Sequence, residues 1–339
     1  MTSERECINR ILHYVESHDR EYLIKGIGDD CAVLKKDGEN CLLLTTDTLV
    51  EGVHFDLAWH PPYLLGRKCA SVNLSDIAAM GGQPRTCLLS VAFPGSVPSW
   101  FDDFMSGFTS VLNEHDTLLV GGDTVKSQND LILTVTVTGE GDRGQICFRS
   151  GAEPGDLIWV SGSLGNAAAG LELCRSDQCQ SAEMSGKWQQ LIEAHLDPEA
   201  QIDLGRILSS SGFVHAMMDI SDGLATDLAH LCQESDVGAE IQQDLLPLST
   251  FLEHAATELD AEVLDWVLKG GEDYQLLFTT RALDEQKLLQ LVSEKFGREI
   301  FCIGRIVEEQ GVFLCNGGER REIAYQGYDH FIGKEENIA

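Results

Sequence analysis

Six aspartates of this chain stand where the sequence predicts the end of an apolar segment, a glycine turn or the start of a helix. In chain order they are Asp30, Asp47, Asp76, Asp123, Asp219 and Asp222. Taken singly, each is explained as a capping or turn residue, because Asp hydrogen-bonds to nearby backbone at such positions. If they cluster, they cannot all stay ionised without a counter-charge, which Mg²⁺ supplies in oxygen-rich sites. The repeated pattern therefore favours several metal ions that bind a polyphosphate.

The clearest of these segments is residues 41–48, where an apolar run of strand length stops at two hydroxyls and a carboxylate. We expect a buried strand that ends at Asp47, because α/β folds present their chemistry at strand ends. Thr45 and Thr46 add hard oxygen atoms of the kind that Mg²⁺ prefers. The alternative is a turn in which Asp47 binds only the local backbone.

Three further features each allow a functional and a purely structural interpretation. The glycine turn at 162–165 could hold a phosphate on helix amides or be a tight structural turn. His54 and Arg149 could contact substrate and nucleotide phosphates, or lie solvated on the surface. Two familiar phosphate-binding motifs are excluded. Residues 121–127 lack the second glycine of a P-loop. Residues 26–31 begin like a dinucleotide-binding fingerprint but carry two carboxylates at the phosphate position, where they would repel phosphate.

Composition limits the class of protein. The chain has 339 residues, which is too long for one ordinary core, so we expect two domains. A formal net charge of −31 argues against nucleic acid or an anionic membrane as a partner. The eleven cysteines form no Cys-x-x-Cys pair, which is typical of reduced thiols. No apolar stretch reaches the roughly 18 residues that span a bilayer, and we expect a cytoplasmic protein.

The elements that must position these residues alternate between strands and helices. The spacing predicts an opening helix over 4–17 and a long helix from the two prolines at 61–62 to about 81–82. Ser99 is expected to cap a further helix, and a short strand is expected to end at the glycines 121–122. Residues 139–144 break all periodicity, so the domains are predicted as 1–145 and 146–339.

With these residues identified, the sequence closely resembles thiamine-monophosphate kinases, within the aminoimidazole-ribonucleotide-synthetase-like superfamily. The matching stretches lie in the family's order and span nearly the whole chain: 26–34, 45–55, 73–84, 121–124, 149–156, 218–227 and 270–277. The resemblance implies an α/β (α+β) fold in which each domain is a mixed sheet covered by helices. It also implies ATP-dependent phosphorylation of thiamine monophosphate to thiamine diphosphate by direct in-line transfer, assisted by several Mg²⁺ ions.

The resemblance also assigns roles to residues. The metal ligands that it implies are Asp30, Thr45, Thr46, Asp47, Asp76, Asp123, Asp219 and Asp222, of which Asp47, Asp76, Asp123 and Asp219 would be catalytic. The nucleotide contacts that it implies are Gly122, Asp123, Arg149 and Ser221, and the substrate contacts are His54, Glu272 and Tyr328. It further implies a homodimer formed through the N-terminal sheets, with an aromatic contact from near Phe104. Tyr328 stands where the family often has tryptophan.

Two other functions stay open on the sequence. One is another ATP-dependent synthetase of the same superfamily, although the chain lacks a terminal cysteine and a cysteine in a glycine-rich N-terminal loop. The other is a nucleotide-binding regulator without catalysis. The many aspartates argue against a regulator, because a nucleotide sensor needs one metal at most.

The substitution Asp47→Asn separates a turn residue from a metal ligand. Asparagine serves as well as aspartate in helix caps and turns. If Asp47 has only such a structural role, we expect stability and activity both to survive. If Asp47 binds metal, the fold persists or gains stability, while activity falls by about 3 kcal/mol or more of transition-state stabilisation. Melting temperature and kcat measured on the same sample decide the matter. An unchanged kcat removes Asp47 from the site.

Overall fold

The computed structural model describes residues 3–15, 21–176 and 186–331. The elements of the N-terminal half are α1 (Glu4–Tyr14), β1 (Leu23–Lys25), β2 (Ala32–Lys35), β3 (Asn40–Val50), α2 (Pro62–Ala79), β4 (Gln83–Phe93), α3 (Phe101–Glu114), β5 (Leu118–Lys126) and β6 (Ile132–Asp142). Those that follow are β7 (Leu157–Val160), α4 (Asn166–Arg175), α5 (Gln189–Leu196), α6 (Ile202–Ser210), β8 (Val214–Asp219), α7 (Leu224–Ser235), β9 (Gly238–Gln242), α8 (Thr250–Leu259), α9 (Val263–Lys269), β10 (Leu276–Thr280), α10 (Glu285–Phe296), β11 (Phe301–Val307), β12 (Gly311–Asn316) and β13 (Glu319–Glu322).

The first sheet has six strands in the order β1-β2-β3-β6-β4-β5. All neighbours are antiparallel except β4 and β5, which run parallel. Along β6 buried and partly exposed residues alternate, so one face packs on the helices and the other faces outward. The half-buried strand that the alternating sequence of 131–138 predicts is confirmed, and it continues to Asp142.

The second sheet has seven strands in the order β13-β12-β9-β11-β7-β10-β8, with β12 and β9 parallel. The prediction of two mixed sheets covered by helices is confirmed. One face of this sheet packs on α4, α7 and α9. Side chains from its other face, including Met217 and Phe278, join the core of the first sheet. The two halves therefore share one hydrophobic core.

Helix α2 lies at the junction of the two halves and is buried on nearly every side. Close packing fixes it: a Cβ added to Gly66 would lie 2.0 Å from the carbonyl oxygen of Phe104 on α3. Near the other end of α2, a Cβ added to Gly205 of α6 would lie 2.1 Å from the carbonyl oxygen of Ala78. Glycine at these crossings lets the helix backbones touch, so polar side chains carried by α2 have defined positions.

Several expectations about elements were wrong. Strand β3 does not end at Asp47 but continues to Val50, because its outward threonines pair with threonines of β6. Strand β5 runs through Gly121 and Gly122, since it pairs along its length with β4. Trp100, not Ser99, occupies the N-cap of α3.

The aromatic contact expected from near Phe104 does not come from Phe104 itself. The Phe104 side chain is fully buried and stacks on Phe101 and Phe108 within the core. Helices α8 and α9 were not expected. The opening helix ends at Tyr14, and its predicted last residues fall at 16–17, outside the described residues. The described residues also exclude part of the polar stretch 175–187 and the terminal residues 334–339.

Candidate active site

Three carboxylates from distant parts of the chain meet at the junction of the two halves. Asp30 lies in the loop before β2, Asp76 in the last turns of α2, and Asp219 at the end of β8. One carboxylate oxygen from each lies within 4.8 Å of the others. The sequence predicted all three as metal ligands, and the fold brings them together.

Burial and mutual repulsion shift these carboxyls towards the protonated form. Burial, followed by the charge of Asp30, raises the pKa of Asp219 to about 7. Burial and the charge of Asp47 raise the pKa of Asp76 well above its ordinary value. Asp30 Oδ2 is buried and has no hydrogen-bond partner among the described residues. Hard oxygen donors, repulsion and an unpartnered oxygen all fit a divalent cation such as Mg²⁺.

Strand β3 contributes to the same place from one of its two faces. The Thr45 hydroxyl donates to Asp76 Oδ2, and the backbone N–H of Asp47 donates to Asn73 Oδ1 at 3.0 Å. Burial and the charge of Asp30 raise the pKa of Asp47 to about 6. The Thr46 side chain points to the other face of the sheet, where its hydroxyl lies 3.0 Å from the carbonyl oxygen of Val135. The structure therefore separates the Thr46 hydroxyl from Thr45 and Asp47.

Arg149 is the cation that contacts this cluster in the protein as described. Its guanidinium donates to Asp30 Oδ1 from both Nε, at 3.1 Å, and Nη2. Its backbone N–H donates to Asp29 Oδ1 at 3.2 Å. Burial and the charge of Asp30 raise the pKa of Asp29 to about 7. A predicted nucleotide contact thus neutralises a predicted metal ligand.

The loop after β8 carries Ser221 and Asp222. Their backbone N–H groups and that of Gly223 donate to Asp227 Oδ2 at 3.0 to 3.1 Å. Asp227 shapes this loop and was missed by sequence reasoning, although it stands in the helix start that follows Gly223. Burial, followed by the charge of Glu4, raises the pKa of Asp222 to about 6. Ser75, also missed, donates its hydroxyl to Asp219 Oδ2.

Two predicted residues lie apart from the three-carboxylate group. Asp123 is exposed on β5, where its Oδ1 accepts the backbone N–H of Thr124 at 2.9 Å. Gly122 has a φ of +152°, and a Cβ there would lie 1.8 Å from the carbonyl oxygen of Leu89, so glycine is required. Their roles in nucleotide and metal binding stay predictions.

The three predicted substrate residues come together through two bridging side chains. Lys68 Nζ lies 2.8 Å from Glu272 Oε1 and 3.4 Å from the carbonyl oxygen of His54. The ring of His330 lies 5.1 Å from that of His54 and 5.0 Å from that of Tyr328, between centroids. Burial, followed by the charge of His330, lowers the pKa of His54.

This substrate group is tied to the loop that carries Asp222. The backbone N–H of Tyr328 donates to the carbonyl oxygen of Asp222 at 2.9 Å, and that of Glu272 donates to the carbonyl oxygen of Ser221 at 2.7 Å. The glycine turn at 162–165 is structural. The carboxylate of Asp273 accepts the N–H groups of Gly165 and Ala167, which a phosphate would otherwise take.

The two mixed sheets with a shared carboxylate cluster belong to a known class of two-domain proteins. Residues 28–141 match the N-terminal domain of AIR synthase related proteins, and residues 153–315 match the C-terminal domain of the same proteins. The described part of the chain holds no helix that is long and apolar enough to cross a membrane.

Relatives narrow the class to one family. The thiamine-monophosphate kinase of Escherichia coli K12 is 38% identical over 308 residues, which are 90% of this chain and 91% of the relative. That of Bacillus subtilis is 35% identical over 312 residues, which are 90% of this chain and 93% of the relative. A solved structure described as AaThiL complexed with AMPPCP and TMP has a TM-score of 0.83, 35% identity and 97% coverage of both chains. The chain belongs to the thiamine-monophosphate kinase family.

The raised pKa of Asp219 predicts a pH-dependent stability of the metal-free protein. Below its ordinary pKa near 4, Asp219 is protonated both folded and unfolded and contributes no difference. Between about 4 and 7 the folded state keeps a proton that the unfolded state has lost, so its contribution to stability falls as pH rises. Asp219→Asn removes this effect and keeps an oxygen that accepts from Ser75.

The melting temperature in EDTA at pH 5, 6, 7 and 8 measures this. We expect the Asn variant to gain on the wild type progressively as pH rises. Asp203→Asn, on the exposed side of α6, is the control and should show no such trend. A difference between wild type and Asp219→Asn that stays constant over pH would contradict the assignment.

Proposed function

We propose that this chain transfers the γ-phosphoryl group of ATP to the phosphate of thiamine monophosphate, giving thiamine diphosphate and ADP. Relatives named thiamine-monophosphate kinase, similar over about nine-tenths of both chains, support the proposal. The observation that carries it is the physical connection of Glu272, His54 and Tyr328 to the loop bearing Ser221 and Asp222. That connection supports the proposal, because the residues proposed to contact the organic substrate then lie next to the loop proposed to bind phosphate.

Several Mg²⁺ ions are part of this proposal. The oxygen donors that would hold them are Asp30, Thr45, Asp47, Asp76, Asp219 and Asp222, with Asp123 as a further predicted ligand; the Thr46 hydroxyl faces away from them. Bound there, the ions would neutralise and orient the phosphates of ATP and of the acceptor. Arg149, Ser221 and Gly122 are the proposed nucleotide contacts. Arg149 is long enough to exchange its carboxylate partner for a phosphate once a cation occupies Asp30.

The residues of the site suit this acceptor. A phosphate monoester is already ionised near neutral pH, so the reaction needs no general base to create the nucleophile. The remaining difficulty is to bring two polyanions into line, which is a matter of positioning and charge neutralisation. The proposed acceptor-binding residues, His54, Glu272 and Tyr328, then serve to bind and orient rather than to move protons.

Thiamine diphosphate formation from ATP and thiamine monophosphate tests the proposal directly. We expect the rate to keep rising with Mg²⁺ beyond that bound as MgATP, because more carboxylates converge than one ion can use. The measurement is initial rate against total Mg²⁺ at fixed MgATP. Saturation without any dependence on excess metal would remove the multi-metal part.

Thiamine itself is the matched control substrate for that assay. An alcohol acceptor has neither the charge nor the ionised nucleophile of the phosphate, so we expect turnover of the monophosphate alone. Equal turnover of both would contradict the proposed acceptor chemistry. Absence of thiamine diphosphate with the wild type would favour another ATP-dependent reaction of the class, and nucleotide binding without turnover of any acceptor would favour a regulator.

We also propose a homodimer formed through the first sheet, in a cytoplasmic protein. Strand β5 is an exposed edge with large apolar side chains, of which Leu118 is 65% and Val120 58% exposed. Leu88 on the neighbouring strand β4 and Leu44 on β3, further across the sheet, are also exposed. A long apolar sheet edge is a pairing surface unless it is covered, and a second copy would cover it. Nine cysteines of the described residues, those other than Cys174, are free thiols, which supports a reducing compartment.

Val120→Glu tests the dimer. A charge buried in the proposed interface without a partner is costly, so we expect dissociation to a folded monomer. Sedimentation velocity at micromolar concentration measures the mass of both proteins. Leu283→Glu is the control, because Leu283 is 71% exposed and lies beside α10, away from this sheet. A wild type that sediments as a monomer would overturn the proposal.

A further inference from the structure

Lys68 is an unusual lysine because its side chain is completely buried. It lies in the middle of α2 with 0% exposure, and its ammonium contacts Glu272 Oε1 and the carbonyl oxygen of His54. Lysine is seldom fully buried unless paired, since an isolated ammonium is expensive to remove from water. With no access to solvent and its charge taken by Glu272, Lys68 is not placed to bind a phosphate itself.

Glu272 is anchored at both carboxylate oxygens. Oε1 meets Lys68, and Oε2 lies 3.0 Å from Nδ1 of His195, a residue with 1% exposure on α5. Burial, followed by the charge of Lys68, lowers the pKa of His195, and its Nδ1 lies against Oε2 without the alignment of a hydrogen bond. Burial alone would raise the pKa of Glu272, but Lys68 and His195 hold that pKa below its ordinary value.

The backbone of Glu272 is held in place as firmly as its side chain. Glu272 has a φ of +68° and Tyr274 a φ of +47°, conformations that are strained for non-glycine residues. Their N–H groups donate to the carbonyl oxygens of Ser221, at 2.7 Å, and Ile220, at 2.8 Å. Such a backbone persists only where its surroundings fix it, and here the fixing partner is the loop of the proposed phosphate site.

We propose that Lys68 and His195 are positioning residues that keep Glu272 anionic and aimed at the cationic, N–H-bearing heterocyclic part of the substrate. This inference rests on the proposed function, in which Glu272 contacts thiamine monophosphate, a molecule with a thiazolium cation and an aminopyrimidine. Each carboxylate oxygen can accept more than one hydrogen bond, so Glu272 keeps capacity for a ligand after it has paired with Lys68. Lys68 also fixes the carbonyl of His54, which joins a second proposed substrate residue to the same ammonium.

Lys68→Met removes the ammonium and keeps the apolar stem. We expect the KM for thiamine monophosphate to rise by about tenfold or more, the scale of a lost charged hydrogen bond, while the KM for ATP stays within about twofold. The matched control is Arg67→Met on the same helix. Arg67 pairs with Asp197 and Glu114 at the surface, so its loss should leave both KM values unchanged.

A double substitution separates positioning from mere stability. Lys68→Met leaves the partly buried Glu272 carboxylate without its cation, so the melting temperature should fall. Lys68→Met combined with Glu272→Gln removes both charges, and we expect the melting temperature to recover while the KM for thiamine monophosphate stays high. Recovery of that KM together with stability would overturn the proposal, because an anion would then not be needed.

His195 offers a conservative rescue. Asparagine at 195 can place an N–H near the position of Nδ1, whereas leucine cannot, so His195→Asn should bind thiamine monophosphate more tightly than His195→Leu. Equal KM values for the two variants would count against His195. If the wild type forms no thiamine diphosphate, the proposed function and this inference fall together. If the wild type is active and Lys68→Met keeps its KM for thiamine monophosphate, only the inference falls.

Discussion

Buried carboxylates that repel one another are the constraint on which this structure depends. Asp30, Asp76 and Asp219 converge within 4.8 Å, and burial raises the pKa of each. Such a group is tolerated only with protons or cations, and in the described protein Arg149 provides a cation to Asp30. The cluster therefore lowers the stability of the metal-free fold and favours metal binding, because a bound cation relieves the repulsion between the carboxylates. Ligands that bind only the folded state then add to its stability.

The fold meets this constraint by taking one carboxylate from each of three unrelated elements. A loop of the first sheet supplies Asp30, the junction helix supplies Asp76, and the end of a strand in the second sheet supplies Asp219. Each sits beside a polar side chain that holds it: Arg149, Thr45 and Ser75, respectively. Because both halves contribute, the site exists only when they are packed together, and the shared hydrophobic core provides that packing.

Local chemistry explains which parts of the site the sequence predicted. Asp30, Asp219 and Asp222 stand at glycine turns or at the end of a short apolar run, and these signals depend only on neighbouring residues. Strand β3 was predicted too short because its threonines look polar in sequence. In the sheet they pair with threonines of β6 and extend the strand. Lys68 had no local signal of a role, since a lysine on a helix is normally solvated. Its partners come from the loops that carry His54 and Glu272, and this long-range pairing appears only once the chain is folded.

Helix α2 connects the carboxylate cluster to the proposed organic-substrate group. Lys68 anchors the proposed organic-substrate group, and Asp76 belongs to the carboxylate cluster about 12 Å further along the helix axis, at 1.5 Å per residue. The helix itself sets this separation, and close backbone contacts at Gly66 and Gly205 fix the helix against α3 and α6. A reaction that depends on alignment rather than on acid–base chemistry needs its two binding groups at a fixed distance. One helix that carries Asp76 and contacts the proposed substrate group through Lys68 contributes to that distance, and the loops that bear His54 and Glu272 complete it.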